Sequence, residues 1–559
     1  MPYQIVRERC LCCHNCALEC PVGAIQYRGT GYVVDPERCV ECGTCARVCN
    51  VEAAVEVAAS QRNGVHPRLE LQAEGVVLGA GASGIVAAAR LAKRSGKKVI
   101  VLEKAAKYGG SGWFAGFHVP LQDSQRPVEF TQRQRELLDY GADPEVLKMA
   151  QRAPGEFFQW FRTVDPRVDA LWQPVQGPGG RKSMDLPRRV YFNTKNQDRA
   201  IGPGRSTSVM ERILTDHFQE LGITVLYRHE ALSLERDARG AISGVLARDP
   251  GGEVHITCRA VISCTGGFAN NPQMLRRYAP HFYGPQGSEA THRFAAPTNT
   301  GDVVRLGRSI GAFLDEKNFS ANVFGPVHHP FGFGLFQMAN QGEMVNVNLY
   351  GERFYNEGVL GGGAAAMCHQ PRRIAWSILD QNTRLELTRR LSAGEDGIAA
   401  AELDAEFEAE ARLDTPLKVA DSLEELAEQT GVDRERFLAT IARYNQFCHE
   451  GRDRAFGKAP GLLRPVETPP FYGIYGKMAC DGAFGGMLVN ARTEVFGADK
   501  TEVIPGLFAA GDNASGWSFK SREAGDHRLM ATNECNWAVG SGFVAGTAAA
   551  DYLARQEGQ

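Results

Sequence analysis

Several features that would place this chain at a membrane or on a nucleic acid are missing from its 559 residues. No uninterrupted apolar run is long enough to span a bilayer. The net charge of −3 leaves no basic excess to attract nucleic acid or anionic lipid. The start, Met1-Pro2-Tyr3-Gln4, lacks a charged segment followed by a hydrophobic run, and it lacks a twin-arginine pair. We therefore expect a cytoplasmic protein without a membrane span or a nucleic-acid partner.

Cysteine is sparse after the first fifty residues. Nine of the 15 cysteines lie in that segment, and the other six have no ligand-like spacing. We interpret those six as small core residues in a reducing compartment. They are Cys258, Cys264, Cys368, Cys448, Cys480 and Cys535.

The first fifty residues contain two matching cysteine runs. The first is Cys10-x-x-Cys13-x-x-Cys16-x-x-x-Cys20-Pro21, and the second, 29 residues later, is Cys39-x-x-Cys42-x-x-Cys45-x-x-x-Cys49. Each run has the spacing that binds cubane iron–sulfur clusters, in which the fourth cysteine ligates the other cluster. The pattern predicts two [4Fe–4S] clusters, one on Cys10, Cys13, Cys16 and Cys49, and one on Cys39, Cys42, Cys45 and Cys20.

Two other interpretations of these cysteines fit less well. Disulfides require an oxidising compartment. Zinc binds CxxC pairs, but a zinc site has no use for the x-x-x-Cys extension that both runs share. Cys12 fits neither run, and we interpret it as a bystander. A domain this small cannot be stabilised by its apolar core alone, so the clusters should supply much of its stability.

A second motif follows a polar segment that resembles a linker. Val76-Val77-Leu78 predicts a buried strand, and Gly79-Ala80-Gly81-Ala82-Ser83-Gly84 leads into a predicted helix and a second strand ending at Glu103. This βαβ unit is typical of dinucleotide binding. Gly79 permits the tight turn, Gly81 the approach of a diphosphate, and Gly84 close contact between helix and strand. Glu103, 24 residues after Gly79, is placed to bind ribose hydroxyls.

The residues after Glu103 favour FAD over NAD. Lys104 begins a second glycine-rich loop that includes Gly109-Gly110-Ser111, which NAD-binding folds do not need. This segment resembles flavoproteins of the fumarate reductase/succinate dehydrogenase superfamily. Further matches follow in the same order as in that family, and they cover roughly residues 71–555. They are the turn Thr265-Gly266-Gly267, Thr300-Gly301-Asp302, Gly351-Glu352-Arg353-Phe354-Tyr355-Asn356-Glu357, Phe456-Gly457-Lys458 and Gly511-Asp512.

The resemblance implies an α/β fold with a Rossmann-like FAD-binding domain and an inserted α+β capping domain. A small α+β domain similar to two-cluster bacterial ferredoxins precedes them. The expected boundaries are 1–58 for the ferredoxin-like domain and 59–70 for a linker. They are 71–300 and 476–559 for the two parts of the FAD-binding domain, and 301–475 for the capping domain.

The resemblance also implies site residues. It implies non-covalent FAD, since Ser111 stands where relatives with covalent FAD carry histidine. The implied FAD contacts are Gly79, Ala80, Gly81, Ser83, Gly84, Glu103, Lys104, Gly110, Ser111, Thr265, Gly266, Gly511 and Asp512. Arg353 matches the proton donor of the family. The alternative is that Arg353 pairs with Glu357, and the sequence leaves both open. Arg528 corresponds to a substrate-carboxylate clamp in a partial match, and His329 to a histidine before the substrate loop.

Two departures from the family bear on the substrate. Gly482 stands where fumarate-type members carry histidine, and the Thr-Glu pair expected between His329 and Arg353 is missing. The dicarboxylate clamp is therefore incomplete, and we expect a substrate larger or more apolar than a C4 dicarboxylate. Phe331, Phe333, Phe336, Phe484 and Trp517 suggest an apolar pocket, although such aromatics are also common in cores.

The sequence therefore predicts an iron–sulfur flavoenzyme that passes electrons between two clusters and FAD. The flavin would reduce, or in reverse desaturate, an activated C–C bond next to a carbonyl. A ferredoxin or a redox partner subunit would supply or accept the electrons. One alternative is an electron-transfer module that serves a partner enzyme. A second is sulfur chemistry like that of adenylylsulfate reductase, whose parts resemble those in this chain.

Overall fold

The structure is a computed structural model of the chain. It describes most of residues 3–558. Two predicted cluster ligands, Cys13 and Cys42, lie outside the described residues, and so do two predicted catalytic residues, Arg528 and His329. The described ranges are 3–6, 10, 15–18, 20, 24–27, 32–35, 37–39, 45–46, 49, 53–56, 68–105, 107–114, 118–120, 132–175, 189–192, 206–280, 291–293, 295–296, 298–328, 341–359, 362–393, 400–411, 417–520 and 529–558.

The described residues form both strands and helices, and the strands often follow one another without a helix between them. The strands are β1 (Tyr3–Ile5), β2 (Ile25–Tyr27), β3 (Tyr32–Val34), β4 (Ala54–Glu56), β5 (Leu69–Gln72), β6 (Gly75–Leu78), β7 (Val99–Glu103), β8 (His118–Pro120), β9 (Trp172–Val175), β10 (Arg189–Phe192), β11 (Ile223–Tyr227), β12 (Glu230–Arg236), β13 (Ile242–Asp249), β14 (Gly252–Thr257), β15 (Ala260–Ser263), β16 (Thr291–Arg293), β17 (Ser320–His328), β18 (Val345–Asn348), β19 (Ile374–Asp380), β20 (Leu417–Ala420), β21 (Phe471–Phe484), β22 (Met487–Leu488), β23 (Glu494–Phe496), β24 (Val503–Ala509), β25 (Ala514–Ser515), β26 (Ser518–Phe519) and β27 (Leu529–Met530).

The α-helices range from short segments to one of 24 residues. They are α1 (Asn15–Leu18), α2 (Ala82–Ser95), α3 (Gln132–Asp139), α4 (Pro144–Val164), α5 (Arg167–Leu171), α6 (Ser206–Asp216), α7 (Pro272–Tyr278), α8 (Asp302–Ile310), α9 (Gly362–Met367), α10 (Gln381–Ala393), α11 (Ala400–Ala411), α12 (Leu423–Thr430), α13 (Arg434–Glu450) and α14 (Glu534–Glu557). Of the helices in the described ranges, none has both the length and the apolar character needed to cross a membrane.

The chain separates into two compact units, each built from discontinuous segments. The first comprises Met1–Ser60, Pro280–Phe294 and Val323–Asp481, and the second comprises Gln61–Ala279, Ala295–Asn322 and Gly482–Gln559. The second unit contains the predicted dinucleotide motif, and the first contains the cysteine runs and Arg353.

A six-stranded sheet forms the centre of the second unit. Its order is β11-β7-β6-β15-β24-β23, and neighbouring strands run parallel except at the β24–β23 edge. Strands β6, β7 and β15 are buried along their whole length, which explains why they show no polar alternation before the terminal Glu103 of β7 and Ser263 of β15. The chain thus has the α/β class and Rossmann-like sheet that the sequence predicted.

Glycines allow the last helix of the chain to approach the first helix of the second unit. A Cβ atom at Gly542 would lie 2.4 Å from the carbonyl oxygen of Ser83, and one at Gly546 would lie 2.5 Å from that of Ala87. Helix α14 therefore packs backbone to backbone on α2, and the contact holds the start of α2 in place. Arg90 adds a hydrogen bond of 2.9 Å from Nε to Thr547 Oγ1.

The N-terminal segment shows its internal repeat in its backbone hydrogen bonds. Strand β1 pairs with β4, and β2 pairs with β3 between the two cysteine runs, both antiparallel. Val6 N–H donates to Ala53 O at 2.7 Å, and its repeat equivalent, Asp35 N–H, donates to Ala24 O at 2.6 Å. The two halves of this segment are therefore related by a local two-fold repeat and not only by their cysteine spacing.

The rest of the first unit is built around a second six-stranded sheet. Strand β21 is its central element, and it pairs with β16, β17, β19 and β20, while β18 pairs with β19. Helices α12 and α13 contribute to one apolar core, which includes Leu426, Phe437 and Ile441. This core supports the segments that carry Arg353 and Lys458.

Candidate functional site

The turn at Gly79–Gly84 is shaped by contacts that exclude side chains. Gly79 has a φ of 97°, and a Cβ atom there would lie 2.4 Å from the backbone oxygen of Cys264. A Cβ atom at Gly84 would lie 1.9 Å from the oxygen of Gly79. Gly81 differs, because a Cβ atom there would meet no described atom closer than 4.0 Å. Packing within the protein thus explains glycine at 79 and 84 but not at 81.

The N-terminus of α2 opens above this turn. Its N-cap residue, Gly81, has no side chain and makes no side-chain cap for the first N–H groups of the helix. Uncapped N–H groups and the helix dipole favour a negatively charged group at this position. The unfilled space at Gly81 and the uncapped helix fit the diphosphate of a dinucleotide.

Glu103 and Lys104 join the second strand to neighbouring turns. The Glu103 carboxylate is buried and accepts hydrogen bonds of 2.8 Å from the N–H groups of Ala80 and Ala105. A carboxylate has about four acceptor sites, so it can still accept from ribose hydroxyls. Lys104 Nζ donates to Thr300 Oγ1 at 2.7 Å and to Asp302 Oδ2 at 2.6 Å. Lys104 therefore ties the end of β7 to the Thr300–Asp302 turn.

The second glycine loop lies directly against the first. Gly109 N–H donates to Ala80 O at 2.8 Å, and a Cβ atom at Gly110, where φ is 51°, would lie 3.3 Å from the Cα of Gly81. Ser111 Oγ accepts from Ala296 N–H at 3.0 Å. The structure thus brings together two glycine loops that the sequence indicated separately.

The turn after β24 closes the same region. Gly511 has a φ of 61°, and its N–H donates to Ser541 Oγ at 2.9 Å. A Cβ atom at Gly511 would lie 2.7 Å from Ser83 Oγ, so the turn is held close to the start of α2. Asp512 follows within this turn and is partly exposed.

Asn513 is a positioning residue that sequence reasoning missed. This fully buried side chain accepts through Oδ1 from Ser263 Oγ at 2.7 Å, from Thr265 N–H at 2.7 Å and from Thr265 Oγ1 at 2.9 Å. It donates through Nδ2 to Gly266 O at 2.6 Å. Asn513 therefore fixes the Thr265–Gly266 turn against the Gly511–Asp512 turn. Thr265 and Asn513 are separated by 248 positions along the chain, which explains why no local signal reveals the contact.

Six of the eight predicted cluster cysteines lie in the described residues, and none of these six is joined in a disulfide to another described cysteine. Cys20 Sγ accepts a hydrogen bond from Ala24 N–H at 3.2 Å, and its repeat equivalent, Cys49 Sγ, accepts from Ala53 N–H at 3.1 Å. Backbone N–H donors on the sulfur are a feature that tunes iron–sulfur clusters. Among the described residues, no three His, Cys, Asp or Glu side chains are grouped to hold one metal ion.

Arg353 lies in a buried ion-pair cluster of the first unit. Its Nε and Nη2 donate to the two carboxylate oxygens of Glu357 at 2.9 and 2.7 Å, and Nη2 also donates to Asp453 Oδ2 at 3.0 Å. Burial works against the charge of Arg353, but the two carboxylates outweigh it and raise its pKa above the ordinary value. A guanidinium held so firmly in its protonated form favours the ion-pair interpretation over proton donation.

Lys458 completes this cluster. Its Nζ is fully buried, donates to Met344 O at 2.8 Å and to Tyr444 Oη at 3.0 Å, and lies 3.6 Å from Glu357 Oε2. Burial lowers the pKa of Lys458 to about 8. Two motifs about one hundred residues apart, Gly-x-Arg-Phe and Phe-Gly-Lys, therefore form one cluster of two cations and two anions.

The structure also shows the surroundings of Gly482. A Cβ atom at this position would lie 2.2 Å from Cζ of Phe484, so the ring of Phe484 occupies the space of a side chain at 482. Phe484 and Trp517 are both buried in an apolar core, with ring centroids 5.7 Å apart. They are core residues, whereas Phe331, Phe333 and Phe336 lie outside the described residues. Arg528 and His329 also lie outside, and their roles stay predictions.

Comparisons with known proteins agree with this geometry. A family model described as an FAD binding domain matches residues 74–526, and one described as a 4Fe-4S binding domain matches residues 32–54. The chain is 30% identical over 476 residues to a vinyl phenol reductase of Lactiplantibacillus plantarum, covering 79% of this chain and 90% of that protein. It is 25% identical over 488 residues to a fumarate reductase (cytochrome) of Shewanella frigidimarina, covering 85% and 77%.

The fold is similar to that of a solved structure, the open conformation of a flavocytochrome c3 fumarate reductase. The TM-score is 0.65 at 20% sequence identity, and the match covers 86% of this chain and 79% of that chain.

Glycine substitutions in the first turn should separate folding from FAD binding. We expect Gly81→Ala to leave the melting temperature of the apoprotein within about 1 °C, because its Cβ atom meets no close neighbour and its φ of −84° suits alanine. FAD affinity should fall at least about tenfold, since the methyl group blocks the approach of the diphosphate. Gly84→Ala should lower the apoprotein melting temperature by several degrees, because its Cβ atom collides with Gly79 O. Thermal melts and FAD titrations measure both, and equal effects of the two variants would contradict this assignment.

Substitution of Asn513 should weaken FAD binding indirectly, because its side chain positions the Thr265–Gly266 turn. Asn513→Ala removes the acceptor for Ser263 and Thr265 and the donor for Gly266 O, which costs about 1–3 kcal/mol for buried groups. We expect the dissociation constant of FAD to rise about tenfold. The control is Asn318→Ala, a buried asparagine of the same unit whose side chain bonds to Asp315 and Lys520. If both variants bind FAD with equal affinity, Asn513 has no specific role in positioning the turns of the FAD site.

Substitution of Arg353 should lower the thermal stability of the protein more than its catalytic turnover. Breaking a buried ion pair costs about 3–5 kcal/mol, and lysine cannot reproduce the bidentate contact with Glu357. We expect Arg353→Lys to lower the melting temperature while FAD content and measurable turnover are retained. Arg454→Gln, in an exposed pair with Glu450, is the control and should melt like the wild type. An unchanged melting temperature with turnover lost would instead identify Arg353 as the proton donor.

Proposed function

Because this chain belongs to the FAD-binding flavoproteins of the fumarate reductase/succinate dehydrogenase superfamily, we propose that it is an iron–sulfur flavoenzyme acting on an activated carbon–carbon bond. It passes electrons between two [4Fe–4S] clusters and FAD and reduces a C=C bond next to a carbonyl or similar activating group, or desaturates the C–C bond in reverse. The observation that carries this proposal is the pair of adjoining glycine loops, at Gly79–Gly84 and Gly109–Gly110, beside the uncapped N-terminus of α2. The same chain has two cysteine runs with the spacing of iron–sulfur cluster ligands.

The residues of the chain divide the work of binding. Gly81 and the first N–H groups of α2 receive the diphosphate, and Glu103 accepts from the ribose hydroxyls. Asn513, Lys104 and Ser111 fix the turns around them. When bound, FAD supplies hydride transfer to or from carbon, and the protein supplies orientation and exclusion of water.

Two clusters are proposed because the chain carries two complete sets of thiolates. The predicted sets exchange their fourth ligands, Cys20 and Cys49, and each of these sulfurs accepts one backbone N–H at the equivalent position of the repeat. Such clusters carry single electrons, so we propose an external ferredoxin or a partner subunit as donor or acceptor.

The substrate proposed is larger or more apolar than a C4 dicarboxylate. Position 482 is glycine where fumarate-type members carry histidine, and the ring of Phe484 occupies the space that a side chain at 482 would need. The 30% identity to a vinyl phenol reductase, over 90% of that protein, supports a conjugated apolar alkene. The fumarate reductase relative matches at 25%.

Single-turnover mixing tests the proposed reaction. The holoenzyme is reduced anaerobically and mixed with a vinyl phenol, an unsaturated ketone or fumarate, and flavin absorbance is followed. We expect the vinyl phenol or the ketone to reoxidise the flavin within seconds and fumarate to act at least about 100-fold more slowly. Failure of all three alkenes, with rapid reoxidation by oxidised ferredoxin, would favour the electron-transfer module instead.

A further inference from the structure

The second unit also contains a four-stranded sheet, and one of its edges is formed by a short strand. The strand order is β12-β13-β14-β5, so β5 lies at the end of the sheet beside β14. These two strands are parallel and pair over the four residues of β5. Parallel pairing is slightly less stable per residue than antiparallel pairing, and an edge strand is held from one side only. Side-chain contacts that join β5 to the other strands therefore matter for its stability.

His255, on β14, makes such contacts with both of its ring nitrogens. Its Nδ1 lies 2.7 Å from Glu70 Oε2 on β5, and its Nε2 lies 2.9 Å from Glu235 Oε2 on β12. A neutral imidazole has one N–H donor, so it can donate to one of the two carboxylates and must present a lone pair to the other. Both contacts are hydrogen bonds only when His255 carries two protons and a positive charge.

Strand β13 lies between β12 and β14, and it leaves room for the contact between His255 and Glu235. Gly244 of β13 is the register partner of Glu235. A Cβ atom at Gly244 would lie 2.8 Å from Glu235 Oε2 and 3.2 Å from His255 Nε2. A side chain at this position would therefore push the two groups apart, and glycine lets side chains from β12 and β14 meet across β13.

Arg68 extends this arrangement into a row of four alternating charges. Its Nε lies 2.9 Å from Glu70 Oε1, while Oε2 of the same carboxylate contacts His255. We call the four residues Arg68, Glu70, His255 and Glu235 the strand clasp. Single exposed ion pairs stabilise proteins little, but networks stabilise them more, and the His255 side chain is only 16% exposed. The hydrogen bond with Glu235, assisted by Glu70, outweighs burial and raises the pKa of His255 above its ordinary value.

Other charged groups on this face of the sheet are arranged around Glu230. Glu253 lies two residues before His255 on β14 and points to the same face, and Arg248 on β13 is the register partner of Glu253. Arg248 pairs with Glu230 at 2.7 Å, and helix α8 brings Arg305 to the same carboxylate at 3.1 Å. Among the described residues, the charged groups that contact His255 are thus those of the strand clasp.

We propose that the strand clasp is a pH-sensitive device, in which protonated His255 fixes β5 to the sheet and loss of this proton to solvent releases it. The neutral ring keeps one carboxylate and leaves the other facing a lone pair, so the link from β12 to β5 is broken. Strand β5 is the first described strand of the second unit, and residues 1–60, which contain the cysteine runs, precede that unit along the chain. The clasp therefore controls how firmly the chain is held where it enters the second unit.

The direction of the pH dependence follows from the raised pKa of His255. The clasp contributes its full stabilisation below the pKa of histidine in the unfolded chain, about 6.5. This stabilisation is lost as the pH rises through the higher pKa of the folded chain.

Hydrogen exchange of the β5 amides in the holoenzyme tests the clasp. Protection factors, which are corrected for the intrinsic pH dependence of exchange, should fall about threefold or more between about pH 6 and about pH 9. Protection that does not change with pH would overturn the proposal.

Three variants assign the pH dependence to His255. His255→Gln should lower the protection of β5 at pH 6 to about its wild-type value at pH 9 and abolish the dependence on pH. Gly244→Ala keeps the histidine but displaces Glu235 from it, so it should reduce the pH dependence. The control is His449→Gln, which removes an exposed histidine that lies 2.7 Å from Glu467 in the first unit. It should leave β5 unchanged.

Two outcomes for these variants would contradict the proposal. The first is a His255→Gln protein that retains the wild-type pH dependence of β5 protection. The second is a His449→Gln protein that loses this dependence to the same extent as His255→Gln. Because Gly244→Ala leaves every titratable group in place, a wild-type response in that variant would likewise exclude the contact with Glu235 from the device.

Discussion

The backbone contact between Gly79 and Gly84 is the constraint on which the proposed flavin site depends. A Cβ atom at Gly84 would lie 1.9 Å from Gly79 O, so the first turn of α2 sits directly on the end of β6. This contact brings the uncapped N–H groups of the helix to Gly81. The second glycine loop and the Gly511 turn then close around the same point, and the glycines of α14 hold the other side of α2. The position of each component thus follows from backbone approach that side chains would prevent.

The first unit depends on a different kind of interaction, the pairing of buried charges. Arg353, Glu357, Asp453 and Lys458 form a cluster in which each charge is matched by an opposite one. For Lys458, burial outweighs the attraction of Glu357 and lowers the pKa to about 8, whereas for Arg353 the carboxylates outweigh burial and raise the pKa above its ordinary value. A buried network of this kind perturbs pKa values without taking part in chemistry, so a motif match alone does not identify a proton donor.

Local sequence predicted those features that depend on nearby residues. The βαβ unit, the glycine turn and the cysteine repeat are all encoded within about thirty residues, and periodicity and turn chemistry are sufficient to recognise them. Asn513 could not be predicted, because its partners Ser263 and Thr265 become neighbours only when β15 and β24 pair in the sheet. The Arg353–Lys458 cluster could not be predicted either, because its two cations are about one hundred residues apart and meet only in the folded chain. The aromatics Phe484 and Trp517 were ambiguous, since a core and a substrate pocket require the same residue types.

Analysis of iron, acid-labile sulfide and FAD in protein purified without exposure to air tests the central claim most directly. If one chain holds two [4Fe–4S] clusters and one FAD, the protein should contain about eight iron atoms, about eight acid-labile sulfides and about one FAD per chain, released without proteolysis. A preparation that carries zinc in place of iron, or that binds no flavin after reconstitution, would contradict it.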